Sequence, residues 1–179
     1  MNRLKGYLKT LPSYLFILIL VWVFMVILMP KKSLWYEIEA VMAEQKVIVH
    51  DEKLDDALFS LDISDAELYF GAMNLARIEA LEILPLGFYN SATIKNLFVG
   101  SELPILKGLH VKSAHLSYIP FCDIEIEASG NFGVVEGFVD LTKRTIELDV
   151  EASSWLKKQT VIMRKLRKQK KGYHFAFHY

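Results

Sequence analysis

An uncharged stretch near the N-terminus constrains this chain more than any other feature. Residues 11–29 read LPSYLFILILVWVFMVILM, nineteen residues without a charge. A helix rises about 1.5 Å per residue, so this stretch would nearly cross a bilayer core of roughly 30 Å. It has no polar face, which is atypical of a helix buried in a water-soluble core. The stretch therefore predicts a transmembrane helix.

A cleaved signal peptide is the competing interpretation of residues 11–29. A signal peptide requires small residues just before the cleavage point and a shorter apolar core. Here the stretch ends in LMPKK, with no pair of small residues. We therefore expect an uncleaved anchor, and we assign residues 1–32 to a cytoplasmic stub and a transmembrane segment.

The basic residues that flank the stretch predict its orientation. Arg3, Lys5 and Lys9 precede it, and Lys31 and Lys32 come after it. Basic residues near a span are retained on the cytoplasmic side. The excess on the N-terminal side predicts a cytoplasmic N-terminus and a C-terminal domain outside the cytoplasm.

The net charge is zero, but acidic and basic residues are distributed unevenly along the chain. All 21 acidic residues lie at or before Glu151, whereas eight of the 21 basic residues lie after it. The first part therefore carries a net charge of −8 and the C-terminal segment +8. The single cysteine, Cys122, excludes an internal disulfide and is predicted to be a small buried side chain.

The periodicity of the apolar residues changes after the anchor. Residues 33–45 have helical spacing after Ser33, a suitable N-cap, and predict a juxtamembrane helix. From residue 46 to 151, apolar and polar residues alternate, as in Ile124–Glu127 and Ile146–Glu151, with turn signals at short intervals. This pattern predicts seven to nine half-buried antiparallel strands. The expected fold is mainly β: a curved meander, either a jelly roll or β-bridge-like.

The spacing of apolar residues changes again in the C-terminal segment. Apolar residues between Trp155 and Leu166 lie near helical spacing, and Gly172 would end the segment, so residues 153–171 predict an amphipathic basic helix. Residues 173–179 then alternate aromatic and smaller or polar side chains, which predicts a closing strand. Together, residues 46–179 are predicted to form one periplasmic domain. The basic side chains of the predicted helix are Lys157, Lys158, Arg164, Lys165, Arg167, Lys168, Lys170 and Lys171.

The order of these parts resembles a known family of envelope proteins. Residues 129–141 read SGNFGVVEGFVDL, then RTIEL occupies 144–148, and a helix and a Gly-Tyr-His-Phe strand complete the pattern. This resembles the C-terminal part of type II secretion system protein N and of AsmA-like proteins. The resemblance implies a periplasmic protein anchored in the bacterial inner membrane and associated with secretion machinery or lipid traffic. It implies no catalytic residues.

Motifs for catalysis or metal binding are absent from the sequence. It has no Gly-rich phosphate loop, no paired cysteines and no His-Glu-x-x-His spacing. His174 and His178 lie about 13 Å apart if the segment is a strand, and His110 and His115 are expected on opposite strand faces. Acidic residues at 123, 125 and 127 are expected on a solvated sheet face. We predict no enzyme, no cofactor and no metal.

Three interpretations of the basic helix stay open: a solvated surface helix, a site for anionic lipid head groups, or a site for an acidic partner protein. Nucleic acid is not expected outside the cytoplasm. The main functional prediction is a structural or assembly component of an envelope machine, bound to other envelope or secretion-complex proteins. The alternative is a module that binds or transfers phospholipid or lipopolysaccharide. An open apolar face on the sheet favours lipid, and a face filled by other parts of the chain favours a scaffold.

Overall fold

The computed structural model describes residues 2–50, 52–103, 106–169 and 172–179, with side chains from residue 12 onward. Two helices lead into a large sheet. Helix α1 is Asn2–Leu28 and α2 is Lys31–Glu44. Pro30 lies between them, and the axes of Pro12–Leu28 and Lys31–Glu44 differ by 57°. Because proline lacks a backbone N–H and restricts the residue before it, the helix bends at this point. The predicted helix at 33–45 is confirmed, although it begins two residues earlier.

Nine strands come next, at the upper limit of the predicted number. They are β1 Val47–His50, β2 Lys53–Asp56, β3 Leu61–Phe70, β4 Met73–Pro85, β5 Asn90–Val99, β6 His110–Tyr118, β7 Ile124–Gly130, β8 Gly133–Asp140 and β9 Thr145–Ala152. Two short helices, α3 Ser154–Lys158 and α4 Thr160–Met163, precede β10 Arg167–Gln169 and β11 Gly172–His178.

All eleven strands of the described chain form one antiparallel sheet. Its order is β1-β3-β4-β5-β6-β7-β8-β9-β11-β10, and β2 pairs with β3 beside β1. Neighbours in the sheet are almost everywhere neighbours in sequence, which confirms the predicted meander. A jelly roll is wrong, because it needs two sheets and long crossover connections.

The meander gives the sheet two distinct ends. The β2–β3, β4–β5, β6–β7 and β8–β9 turns lie at one end with the C-terminus; we call it the α1 end, because α1 contacts the β4–β5 turn there. Nε1 of Trp22 donates a hydrogen bond to the carbonyl oxygen of Leu86 at 3.2 Å, and the rings of Trp22 and Phe88 lie 4.9 Å apart. The opposite end, called the far end, carries the remaining turns with α3 and α4.

Helix α2 covers one corner of the sheet. Trp35 is buried with Leu61, Ile63, Ala66 and Ile78 of β3 and β4. Near the start of α2, Lys31 is only 3% exposed, and its Nζ lies 3.1 Å from Oδ1 of Asp56 at the end of β2. A buried ammonium group needs such a partner, because transfer out of water strongly disfavours an isolated charge. This ion pair connects the bend between α1 and α2 to the α1 end of the sheet.

The predicted basic helix at 153–171 is wrong. The segment forms two helices of five and four residues, and Arg167–Gln169 is a strand that pairs with β11. Ser153 caps α3: its Oγ accepts hydrogen bonds from the backbone N–H groups of Trp155 and Leu156. Residues 167–169 become a strand because hydrogen bonding to β11 satisfies backbone groups along the outer edge of that strand.

The strand predicted at the C-terminus is present as β11. It pairs with β9, so that Tyr173, Phe175 and Phe177 lie opposite Val150, Leu148 and Ile146 in alternating register. The aromatic side chains therefore share the face on which the apolar residues of β9 lie. The sheet continues by one more short strand, β10, and remains open.

Two predictions about single side chains are also wrong. Cys122 is exposed, because it lies in the β6–β7 turn and not inside a strand. His110 and His115 share one face, because the register shifts between Val111 and Ser113 and reverses the alternation. The acidic residues at 123, 125 and 127 are exposed, as predicted.

Candidate functional site

One face of the sheet is apolar from β4 to β9 and on β11. In the register of the central strands, Ile83 lies opposite Ala92, Ala92 opposite Leu116, and Leu116 opposite Ile126. The same face continues through Val139, Ile146 and Phe177 at the C-terminal strands. Since side chains alternate between the two faces of a strand, this register collects the apolar half of each alternating segment on one surface.

Helices cover this apolar face at two places. Helix α2 covers it over β3 and β4 through the Trp35 cluster. At the far end, Leu156 of α3 is buried with Phe132 and Val150, and Ile162, Met163 and Leu166 pack on the same cluster. The main helix contacts with the sheet are those of α2 with β1 and β2 and of α3 with β9.

A strip between these two clusters lies under none of the helices that the structure describes. None of its residues belongs to either cluster. On each of the strands β6, β7, β8, β9 and β11, the strip occupies the half that is nearer the α1 end. Its side chains are half-buried, except that of Phe177, which is exposed. We call this surface the open strip: Leu116, Ile124, Ile126, Val139, Ile146, Leu148, Phe175 and Phe177.

The opposite face of the sheet is polar. It has a shallow depression of about 560 Å³ over β7, β8 and β9, lined largely by carboxylates with His174 at one side. Nδ1 of His174 lies 2.9 Å from Oδ1 of Asp149. Within the residues that the structure describes, no group of three or more His, Cys, Asp or Glu side chains could hold a metal ion. This face is the solvated side of the sheet.

The described basic residues of the C-terminal segment lie at the far end. Lys157 and Lys158 are on α3, Arg164 and Lys165 come after α4, and Arg167 and Lys168 are on β10; all six are exposed. They therefore share one corner of the sheet without sharing one helix face. Lys170 and Lys171 lie outside the described residues.

A buried carboxylate organises the β8–β9 turn at the α1 end. Oδ1 of Asp140 accepts hydrogen bonds from the backbone N–H groups of Thr142 and Lys143, and Oδ2 lies 2.8 Å from Nζ of Lys143. Hydrogen bonds from the side chain and from the backbone N–H of Lys143 hold the pKa of Asp140 below its ordinary value of 3.8, and the side-chain bond has the larger effect. The Asp140 carboxylate in turn raises the pKa of Lys143 above 10.5.

Every turn at the α1 end exposes an apolar side chain, a feature that the sequence reasoning missed. Phe88 is 59% exposed, and Phe121 is fully exposed with a φ of +69°. The set comprises Leu58, Phe59, Phe88, Ile119, Phe121 and Leu141, with Phe177 and Tyr179 beside them. The signal that could have found them is the presence of apolar residues in turns, where polar residues are the rule.

Helix α1 also leaves most of its apolar surface uncovered. Val26 is buried and Trp22 is half-buried, but the side chains of residues 14–21 are exposed. Judged on length and apolarity, none of the described helices reaches the size of a membrane span alone, whereas the bent pair Pro12–Leu28 and Lys31–Glu44 does so together. The single straight span predicted from the sequence is not confirmed.

Comparison with known proteins adds no relative. No family model, no curated protein and no solved structure matches this chain. The resemblance to type II secretion system protein N and AsmA-like proteins therefore stays a prediction.

Proposed function

We propose that this protein is a membrane-anchored module that binds lipid acyl chains on the open strip. The observation that carries the proposal is that no described helix covers this strip, although both neighbouring parts of the same apolar face are covered. Large apolar surfaces left exposed on a folded domain usually bind a ligand, a partner or a membrane. An acyl chain is the ligand that matches a surface without polar groups.

The dimensions of the open strip suit an acyl chain. Neighbouring strands lie about 4.8 Å apart, so the five strands from β6 to β11 span about 19 Å. Each methylene group that leaves water contributes about 0.8 kcal/mol to binding. The strip borders the α1 end, so a lipid could lie on it with its head group near the membrane. This role needs no catalytic residue, metal or cofactor.

The anchor in this proposal is α1. Its exposed side chains between Tyr14 and Val21 are almost all apolar, which suits contact with lipid tails. The positive charge of Lys31 is neutralised by Asp56 inside the fold. Separately, the three basic residues before the uncharged stretch outnumber the two after it, and this excess supports the predicted cytoplasmic position of the N-terminus. The domain would then lie in the periplasm, on the inner membrane of a double-membrane bacterium.

Photocrosslinking of the full-length protein tests the proposal. The protein would be reconstituted in nanodiscs with a phospholipid that carries a photoreactive group in its acyl chain. We expect crosslinks on peptides from the open strip, such as those with Ile126 and Leu148. Crosslinks confined to α1, or spread equally over the polar face, would contradict acyl-chain binding by the sheet.

A pair of matched variants adds a quantitative measurement. Ile126→Asp places a charge in the open strip, whereas Val134→Asp places the same charge on an exposed position of the opposite face. We expect Ile126→Asp to lower the amount of lipid that co-purifies in mild detergent and Val134→Asp to leave it unchanged. Circular dichroism would establish that both variants keep the fold. Equal lipid content in folded samples of both variants would refute the role of the strip.

A second candidate function is an assembly component of a secretion-type machine. The observation that favours it is the open sheet: the short edge strand β10 is exposed and forms one end of the strand order, so that a strand of a partner could add to it. Mass spectrometry of the proteins and lipids that co-purify with the full-length chain separates the two candidates. Stoichiometric envelope proteins without lipid would favour the assembly role.

A further inference from the structure

The contact between α1 and the β4–β5 turn has a consequence for the position of the domain. Trp22 lies seven residues before Met29, where the uncharged stretch ends, a distance of about 10 Å along a helix. Phe88 packs against Trp22 at that level. If α1 crosses a bilayer, the β4–β5 turn therefore cannot lie above the membrane surface; it lies at the depth of the helix that it contacts.

The polar groups of this contact fit that position. The indole N–H of Trp22 donates to the carbonyl oxygen of Leu86, so the donor and the acceptor satisfy each other where water is scarce. Trp is also the residue type that favours the boundary between lipid tails and water. Phe88 itself is exposed on its remaining sides.

The other turns of the α1 end have the same character. Ile119 and Phe121 project from the β6–β7 turn, Leu141 from the β8–β9 turn, and Leu58 from the β2–β3 turn. In the meander these turns form one row with the β4–β5 turn. Phe121 adopts a left-handed backbone conformation that bulky residues rarely take, and its side chain contributes no burial to the fold.

We propose that the turns of the α1 end, together with Trp22, form a membrane-contacting surface that seats the domain directly on a phospholipid bilayer. The apolar side chains Leu58, Phe88, Ile119, Phe121 and Leu141 insert at the level of the head groups and upper acyl chains. The open strip then begins at the membrane, and a lipid reaches it without crossing water. This inference rests on the anchoring role of α1 in the proposed function.

The single native cysteine provides the probe for this proposal. Cys122 is exposed in the β6–β7 turn beside Phe121. Full-length protein would be labelled there with an environment-sensitive fluorophore and reconstituted in nanodiscs of phosphatidylethanolamine and phosphatidylglycerol. The matched control is Cys122→Ser combined with Lys107→Cys, which moves the label to an exposed turn at the far end. We expect doxyl-labelled phospholipid to quench the label at 122 severalfold more than the label at 107. Equal quenching at the two positions would overturn the proposal.

A second pair of variants tests the apolar side chains themselves. Phe88→Ser combined with Phe121→Ser should reduce quenching of the Cys122 label towards the value at position 107. Phe70→Ser, which removes an exposed phenyl ring at the far end, should leave quenching unchanged. A double variant that is quenched as strongly as the unmodified protein would contradict insertion of these rings.

Carbonate extraction of membrane vesicles separates failure of this proposal from failure of the anchor. Protein that stays in the vesicles while its Cys122 label remains in water overturns only the seating of the domain. Protein that leaves the vesicles refutes the anchoring role of α1, and the seating of the domain with it.

Discussion

Both ends of the sheet consist of turns between antiparallel strands, but the β7–β8 turn at the far end and the β6–β7 turn at the α1 end differ in the burial of a phenylalanine. At the far end, Phe132 in the β7–β8 turn is buried under Leu156 of α3. At the α1 end, Phe121 in the β6–β7 turn is fully exposed. The difference arises because the chain returns over the far end as α3 and α4 after β9. At the α1 end, α1 contacts the β4–β5 turn, but no described element covers Phe121.

Hydrogen bonds reinforce the far end. Asn131 donates from Nδ2 to the carbonyl oxygen of Gly108 and accepts at Oδ1 from the N–H of His110. Ser153 caps α3, and its hydroxyl donates to the carbonyl oxygen of Asn131. These contacts connect the β5–β6 turn, the β7–β8 turn and α3 with one another. The comparison teaches that these far-end turns contribute to the stability of the fold, whereas the α1 end has apolar turn residues that the fold leaves exposed.

The largest expected effect comes from exchanging the two phenylalanines for alanine. Phe132→Ala leaves a cavity in the far-end cluster and should lower the free energy of unfolding by about 3–5 kcal/mol. Phe121→Ala removes an exposed ring and should change it by less than about 0.5 kcal/mol. Denaturant unfolding of the full-length protein in detergent, followed by near-ultraviolet circular dichroism, measures both. Equal losses of unfolding free energy in the two variants would contradict the difference between the two ends.

An intermediate effect is expected at the ion pair that joins the α1–α2 bend to the α1 end. Asp56→Asn leaves the buried ammonium of Lys31 without its counter-charge, which should cost about 1–3 kcal/mol, since Asp56 is itself partly exposed. The control is Asp65→Asn, because Asp65 pairs with exposed Lys53 and Arg77. The same unfolding measurement should show only a small change for the control. A larger change for Asp65→Asn than for Asp56→Asn would show that burial of Lys31 does not matter.

The smallest expected effect is a pH dependence at the β8–β9 turn. The pKa of Asp140 is lowered in the folded state, so its contribution to stability is present above the ordinary value of 3.8 and is lost as the pH falls through the lowered value. We expect Asp140→Asn to lower the melting temperature between about pH 5 and 8 by a constant amount, roughly as for a surface charge pair. The difference from the unmodified protein should shrink below pH 3.8.

Glu151→Gln serves as the control for this measurement, because it removes an exposed carboxylate at the far end, away from the β8–β9 turn. It should not reproduce the pH dependence. A melting-temperature difference that persists unchanged at low pH would show that the Asp140 carboxylate does not act through its charge.

Local patterns in the sequence predicted most of the sheet. The alternation in Ile124–Glu127 and Ile146–Glu151 placed β7 and β9 and the faces of their side chains correctly. The helix at 33–45 was predicted from its spacing in the same way. These elements are predictable because a strand or a helix repeats its pattern over several residues, and each repeat adds to the signal.

Predictions failed where a long-range contact overruled the local pattern. The register shift after Val111 placed His110 and His115 on one face, and no local signal marks it. The basic segment at 167–169 became a strand because β11 offered a free edge. Cys122 was predicted to be a small buried side chain, yet it lies in a turn beside the exposed side chains of Ile119 and Phe121.

The features of the candidate site were likewise predictable from the sequence only in part. Sequence by itself determined a helix over the uncharged stretch near the N-terminus, an antiparallel meander with an apolar and a polar face, and the absence of catalytic motifs. Only the tertiary structure decided which part of the apolar face the helices cover, and that the open strip, the exposed turns and α1 meet at one end of the sheet. The physical reason is that alternation is encoded between neighbouring residues, whereas burial depends on which distant segments pack over each face.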